Sequence, residues 1–447
     1  MSQQSQQQED GASPYGNDYG QSDEDRPEDD NPDDDIPPIR EWLAEGTQLT
    51  PSVPAAGDEY GWSAVVEGDV IAVGAPYHDA VAEDAGAVFV FERIDDEWVE
   101  TAYLLPEFGE FHGWFGRWIA IDQGRLVIGA PYESVPGVAS LEPIESAGAV
   151  YVYEKIDDEW TRTATILSPQ PIAGASFGWS VAIRGEWIAV SAWEDVVNGV
   201  SAGAVYVFTQ VKGIWWPQAR LEPSEPSYRL GYGRDIELDQ NVLAVGAPGD
   251  DQIAEDAGAL FIYHYYDASW NFAGKYVVPD GVEGDGLGYQ IGLSMPWLAA
   301  GAPYQDDLGW ETGAVYLWEL SRNIWRSRGR LPVSDIQLGD WFGYAPAVNG
   351  DVIVVGSPHR AHPETRVFRA GASYVYVRDG GEWSELGVVG PVDPVASGER
   401  AEFGWVTDVD GSTVVVGAWT ANSDVGENAG RAAVFEIAEL AEATEPD

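Results

Sequence analysis

Cysteine is absent from all 447 residues, which excludes disulfides, thiolate zinc sites, cysteine nucleophiles and lipidated cysteine. Lysine is scarce: only Lys155, Lys212 and Lys275 occur, and Lys plus Arg number 23 against 75 Asp plus Glu. The resulting net charge of −52 repels nucleic acid and anionic lipid, so neither is an expected partner. No run of about 18 apolar residues is present, so direct membrane insertion through a helix is not expected. The opening Met1-Ser2-Gln3-Gln4 lacks the basic start and apolar stretch of a secretion signal. No nucleophile elbow, phosphate-binding glycine loop, zinc-protease helix or kinase signature occurs either, so no catalytic residue is assigned.

What is present begins with acid. Excess carboxylate with so little lysine resembles the composition of proteins from extreme halophiles. At molar salt the screening length falls to about 3 Å, and self-repulsion of such a chain is largely removed. Residues 1–39 are glutamine-rich and then acidic, with twelve acids against the single Arg26. Such a stretch is too polar to pack, and we expect a disordered tether there. A short acidic tail is expected over 438–447. The residues between carry most of the charge and should fold.

A pattern recurs seven times in the folded part. An aromatic or leucine precedes Gly61, Gly116, Gly178, Gly233, Gly288, Gly343 and Gly404. Fourteen residues after each glycine stands Ala75, Ala130, Ala192, Ala247, Ala302, Ser357 or Ala418. The glycines are 55, 62, 55, 55, 55 and 61 residues apart, and a fixed period of this size marks a propeller, solenoid or array.

Each copy divides into four strands. In the first, Ser63 to Val66 and Val70 to Val73 flank a tight turn at Gly68-Asp69. Turn glycines recur as Gly124, Gly185, Gly350 and Gly411, as two-residue hairpins with positive φ require. A third strand follows Gly86, Gly148, Gly203, Gly258, Gly313, Gly371 and Gly430, and is apolar on both faces, as a sheet stacked between two neighbours should be. A fourth starts near Trp98, Trp160, Trp215, Trp270, Trp325 or Trp383. The seventh copy has none. Glu41-Trp42, Leu49 and Pro51 repeat the pattern of Glu159-Trp160, Leu167 and Pro169 yet precede the first copy. The fold expected is therefore all-β, a seven-bladed β-propeller of four-stranded antiparallel blades over 40–437, its ring closed by the N-terminal strand 40–51, which removes exposed edges.

These residues resemble the FG-GAP repeat family, which forms the seven-bladed propeller of integrin alpha subunits and of many microbial surface proteins. The signature is carried by Phe177-Gly178, by Gly203-Ala204-Val205-Tyr206-Val207-Phe208, and by Gly74-Ala75-Pro76, Gly129-Ala130-Pro131, Gly246-Ala247-Pro248 and Gly301-Ala302-Pro303. The departures are Ser191-Ala192-Trp193, Gly356-Ser357-Pro358 and Gly417-Ala418-Trp419. The chain is similar to a haloarchaeal-type acidic member. The resemblance implies adhesion or protein binding, an extracellular or cell-surface location, and a protein or surface glycan as ligand. The missing secretion signal leaves the cytoplasm as the alternative location, with an intracellular scaffold role.

Many relatives carry an Asp-rich calcium loop between the first two strands of a blade. Here that hairpin is minimal: Glu67-Gly68-Asp69, Arg184-Gly185-Glu186 and Asn349-Gly350-Asp351 offer one or two acids where calcium takes six to eight oxygens. No cofactor is therefore expected from those hairpins. Acidic loops between the second and third strands are the remaining cation candidates, with Asp79, Asp84, Asp251, Asp256 and Asp306 as ligands. Asp79, Asp251, Asp306 and Asn422 share one position, four residues after the Ala of the triplet. The simpler reading is that each caps its own turn. His359 and His362 with Glu364 form a second weak metal candidate, and His78, His112 and His264 are isolated. The aromatic residues read as packing between blades. The functional expectation is a non-enzymatic binding or adhesion module whose 133–146 and 358–370 insertions make contact in high salt. The alternative is a propeller hydrolase or lyase, which requires inward-facing polar side chains with shifted pKa at the central channel.

Overall fold

The computed structural model describes residues 46–437 apart from 108–110, 138–141 and 392. The tether, the acidic tail and residues 40–45 of the closing segment, Trp42 included, lie outside the described residues. Within them, seven four-stranded antiparallel sheets are arranged as the blades of a propeller. Blade 1 runs outward from the axis as Ser63–Glu67, Val70–Ala75, Ala87–Ile94 and Glu97–Leu104. Blade 7 takes three strands from the C-terminal end, Val406–Asp410, Thr413–Ala418 and Arg431–Glu436, and its fourth from Thr47–Leu49. The register there is Thr47 to Val434, Gln48 to Ala433 and Leu49 to Ala432. Closure by the N-terminal strand thus occurs as the repeat pattern predicts, and Leu49 is buried in the core shared by blades 7 and 1.

The invariant fourteen-residue spacing has a backbone cause. In six blades the N–H of the anchoring glycine donates to the carbonyl of the residue thirteen further on, as in Gly61 to Gly74 at 3.0 Å, Gly116 to Gly129 at 3.0 Å and Gly288 to Gly301 at 2.8 Å. A two-residue turn between them, with Gly68 at φ 54° and Gly124 at φ 68°, leaves no length to vary. The glycine of each Gly-Ala-Pro triplet then meets the anchoring glycine of the next blade. A Cβ on Gly74 would lie 2.1 Å from the Gly116 carbonyl oxygen, and one on Gly417 would lie 2.0 Å from that of Gly61. Blade 3 has Ser191 at this position, and its Oγ donates to the Gly233 carbonyl instead. The departure is accommodated as a hydrogen bond.

The apolar third strands pack against both neighbours. Seven core clusters occur among the described residues, and each spans two adjacent blades. One joins Val88, Val90 and Leu104 of blade 1 to Leu126, Ile128 and Tyr151 of blade 2; another joins Val205 and Val207 of blade 3 to Leu243 and Val245 of blade 4. No blade buries its apolar residues alone, so closing the ring is a condition of burial.

Candidate functional site

The innermost strands surround a central channel. At its loop end, the side chain that follows each anchoring glycine turns toward the axis, and the seven touch in order as a closed iris. The Arg117 guanidinium lies over the Trp62 ring at 4.6 Å and over the Trp179 ring at 4.4 Å. Arg234 follows, 5.3 Å from Trp179 and 4.3 Å from Tyr289. Tyr289 contacts Tyr344 at 5.1 Å, Tyr344 contacts Trp405 at 4.5 Å, and Trp405 returns to Trp62 at 5.5 Å. Trp419 caps Trp62 at 4.7 Å, and Trp193 stacks on Trp179 at 4.4 Å. Arg117, Trp179, Arg234, Tyr289 and Tyr344 are buried, whereas Trp62, Trp405 and Trp419 are half-buried.

The backbone that aims these residues is strained in a regular way. The residue two before each anchoring glycine has positive φ in all seven blades, and five of these are not glycine: Glu59, Trp114, Ser176, Trp341 and Glu402. Such conformations cost energy and persist where surrounding structure over-determines them. Trp114 leans onto Tyr77 and Tyr132, and Trp341 stacks on His359. Glu402 accepts the indole N–H of Trp419 at 2.9 Å. Burial raises the Glu59 carboxyl well above the ordinary carboxylate range, with Asp84 and Glu402 adding repulsion.

Below the iris the channel widens into a cavity of about 240 Å³. Four residues after the anchoring glycines, five blades place Val65, Ala120, Ala182, Gly292 and Ala347 on it; blades 4 and 7 place Glu237 and Asp408. Burial raises Glu237 well above the carboxylate range, and Asp235, Asp408 and Asp239 add to it. Asp408 is pushed up to about 7 by burial, against the pull of the Val66 and Val409 N–H groups. Asp235 is pushed up to about 6 by burial, while the N–H groups of Ile291 and Ile236, the Ser180 hydroxyl and Arg234 act the other way.

The hairpin end of the channel is a ring of latches. Glu67 accepts the N–H groups of Gln123 and Gly124 in blade 2, and Asp122 accepts that of Gly185 in blade 3 at 2.7 Å. Asp239 accepts that of Met295 at 2.8 Å, Ser294 that of Gly350 at 3.1 Å, and Asn349 that of Gly411 at 3.3 Å. Asp410 accepts that of Gly68 at 2.7 Å and completes the circuit. Blade 3 has Arg184 at this position, and it bridges Asp122 and Asp239 at 3.0 Å each. Hairpin acids of four blades are thus bonded to the backbone of the next blade.

The cation candidates of the acidic loops are placed in separate turns. Asp79 accepts the N–H of Asp84 at 2.9 Å, Asp251 that of Asp256 at 2.9 Å, Asp306 that of Glu311 at 2.6 Å and Asn422 that of Asn428 at 3.1 Å. Each caps its own loop, in keeping with the simpler expectation. Asp84 also meets His112 at 2.6 Å. Among the described residues no group of three or more His, Asp or Glu is gathered as a metal would require. His359 faces Glu402 at 3.7 Å and is held neutral by burial and by Arg369 and Arg400. His362 accepts the N–H of Thr365 within its own turn. The two imidazoles therefore serve different contacts.

Neither the iris nor the channel acids stand out in the sequence, where the aromatics read as packing between blades. Their signal was positional: one residue, and then four, after each anchoring glycine. The FG-GAP repeat family matches the chain over residues 44–91, 98–153, 160–208 and 325–376. Each match runs from the outer strand of one blade through the third strand of the next, the same phase as the closing strand. No curated protein matches the sequence. Among solved structures, a "putative 6-phosphogluconolactonase" from Bacteroides uniformis is 10% identical, with 74% of this chain and 85% of that chain covered at a TM-score of 0.48. A likeness that loose carries no argument about chemistry.

Proposed function

The chain is an FG-GAP repeat protein with a seven-bladed propeller, and on that premise we propose that it is a non-enzymatic binding or adhesion module working in high salt at the cell surface. The observation that supports this reading is the half-buried tryptophan platform of Trp62, Trp405 and Trp419 at the centre of the loop face. On a surface otherwise rich in carboxylate, a contiguous aromatic patch flanked by arginine has the composition of a contact hot spot. The ligand would be a protein or a surface glycan, met by the platform and the loops around it. Purified protein should bind envelope material from its own cells in molar salt, and Trp419→Ala should abolish that binding while leaving the melting temperature within a few degrees. Binding that survives this substitution sinks the reading.

One observation favours a second reading, a propeller hydrolase or lyase. Glu237 faces the channel cavity with a raised proton affinity, the kind of environment a general acid needs. Asp235 and Asp408 share the trend but spend their oxygens on backbone N–H groups of neighbouring blades. A screen of ester and lactone substrates with the native protein and Glu237→Gln tests it: turnover lost in the variant supports the enzyme, and turnover shared by both rejects Glu237 as its acid.

A further inference from the structure

Arg117 is 5% exposed, yet its buried Nε has no hydrogen-bond acceptor among the described residues. A buried donor left without an acceptor is costly. The guanidinium carbon lies 4.6 Å from the centre of the Trp62 ring and 4.4 Å from that of Trp179, so aromatic rings crowd the group without giving its N–H donors an acceptor. A carboxylate is planar and meets a guanidinium fork as a two-pronged acceptor. Burial and the like charge of Arg234 lower the pKa of Arg117 to about 10, as expected for a cation awaiting a counter-charge.

Near it lies an acid in the complementary condition. Glu59 has a buried oxygen without a donor, and Arg117 is the weakest of the charges acting on it. The pair offers donors for a carboxylate and an acceptor for a hydroxyl, beside the flat apolar surface of Trp62, Trp405 and Trp419. An acidic peptide side chain supplies the carboxylate but not the hydroxyl, and it brings further negative charge toward an acidic protein. We propose that the loop face binds a uronic acid or similar acidic sugar, its carboxylate forked on Arg117, a hydroxyl on Glu59 and its ring on the tryptophan platform. This rests on the binding-module reading and names its ligand. In molar salt the net charge of the protein acts over only about 3 Å, so the local donors decide.

Calorimetric titrations in molar potassium chloride, a weak spherical competitor for a planar fork, provide the test. The probes are glucuronate, glucose as the uncharged ring, and acetate as the bare carboxylate. Glucuronate should bind well above both, and Arg117→Gln should weaken it by about tenfold to a hundredfold. Arg117→Lys, which keeps the charge and loses the fork, should fall between and serves if the glutamine variant does not fold. Acetate or glucose binding as tightly as glucuronate, or no binding of glucuronate to the native protein, overturns the proposal. Envelope binding by the Arg117 variants separates the two levels: if the probes fail while envelope binding persists, the sugar-acid site is wrong and the binding-module reading stands.

Discussion

Gly129 lies so close to Gly178 that a Cβ added to it would stand 2.1 Å from the Gly178 carbonyl oxygen. One glycine is in the triplet of blade 2 and the other anchors blade 3, so the contact sets how closely two sheets approach. Backbone is on both sides, and neither can yield without parting the blades. Gly129→Ala should lower stability by at least about 2 kcal/mol, read as a shift of the guanidinium midpoint in molar salt. The reverse change in blade 3, Ser191→Gly, removes a hydrogen bond and adds no bulk, and should cost about 1 kcal/mol. An unchanged midpoint for Gly129→Ala would show that the blades are looser than the contact implies.

Ring closure gives a second expectation. Leu49 is 2% exposed and shares a core with Tyr60, Ile71 and Val434, residues of the first and last blades. Leu49→Ala should cost about 2–5 kcal/mol, and removal of residues 40–51 should sharply lower the melting temperature. Removal of 1–39 should leave it nearly unchanged. Equal effects of the two truncations would contradict closure by this strand.

Closure and blade count were legible because both depend on local geometry. A two-residue hairpin tolerates no slip, and an orphan strand with Leu49 and Pro51 in the right places has one vacancy to fill. The turn-capping Asp79, Asp251 and Asp306 were legible for the same reason, since donor and acceptor are five residues apart. The iris was not. Its seven positions hold Trp, Arg, Trp, Arg, Tyr, Tyr and Trp, a chemically mixed column. Each follows a glycine with φ near 90°, where simple strand alternation does not say which way the side chain points. Only the closed ring brings Trp405 to Trp62, and only the ring gathers Glu237 and Asp408 around one cavity.

The channel acids make stability depend on pH in a defined direction. Asp408 sits at about 7 in the folded protein against about 3.9 for a free aspartate. A carboxyl raised on folding binds its proton more tightly in the native state, so its stabilisation is complete below the unfolded value and is lost as pH rises through 7. Asp235, at about 6, acts in the same sense. In constant molar salt the melting temperature should therefore climb as pH falls from 8 to 5. Asp408→Asn, which mimics the protonated acid, should be more stable than the native protein at pH 8 and flatten the slope. A melting temperature that falls over this range, or a slope identical in the variant, would refute the assignment.

Salt tests how the acidic surface is tolerated. Much of the −52 charge is carried by the propeller itself, and at about 0.01 M salt the screening length reaches about 30 Å, enough for blades to repel across the ring. The latches at the hairpin mouth and the seven shared cores resist this only while the ring is closed, so opening at one interface exposes the rest. Dilution from molar to millimolar salt should unfold the domain cooperatively, seen as loss of the β-sheet circular dichroism signal. Trp179, 1% exposed and clasped between Arg117 and Arg234, should become wet in the same transition and shift its emission to the red. Arg184→Gln leaves Asp122 and Asp239 facing each other without their bridging cation, so its transition should move to higher salt. Circular dichroism unchanged on dilution would mean that packing outweighs repulsion, and would remove the ground for expecting a high-salt protein.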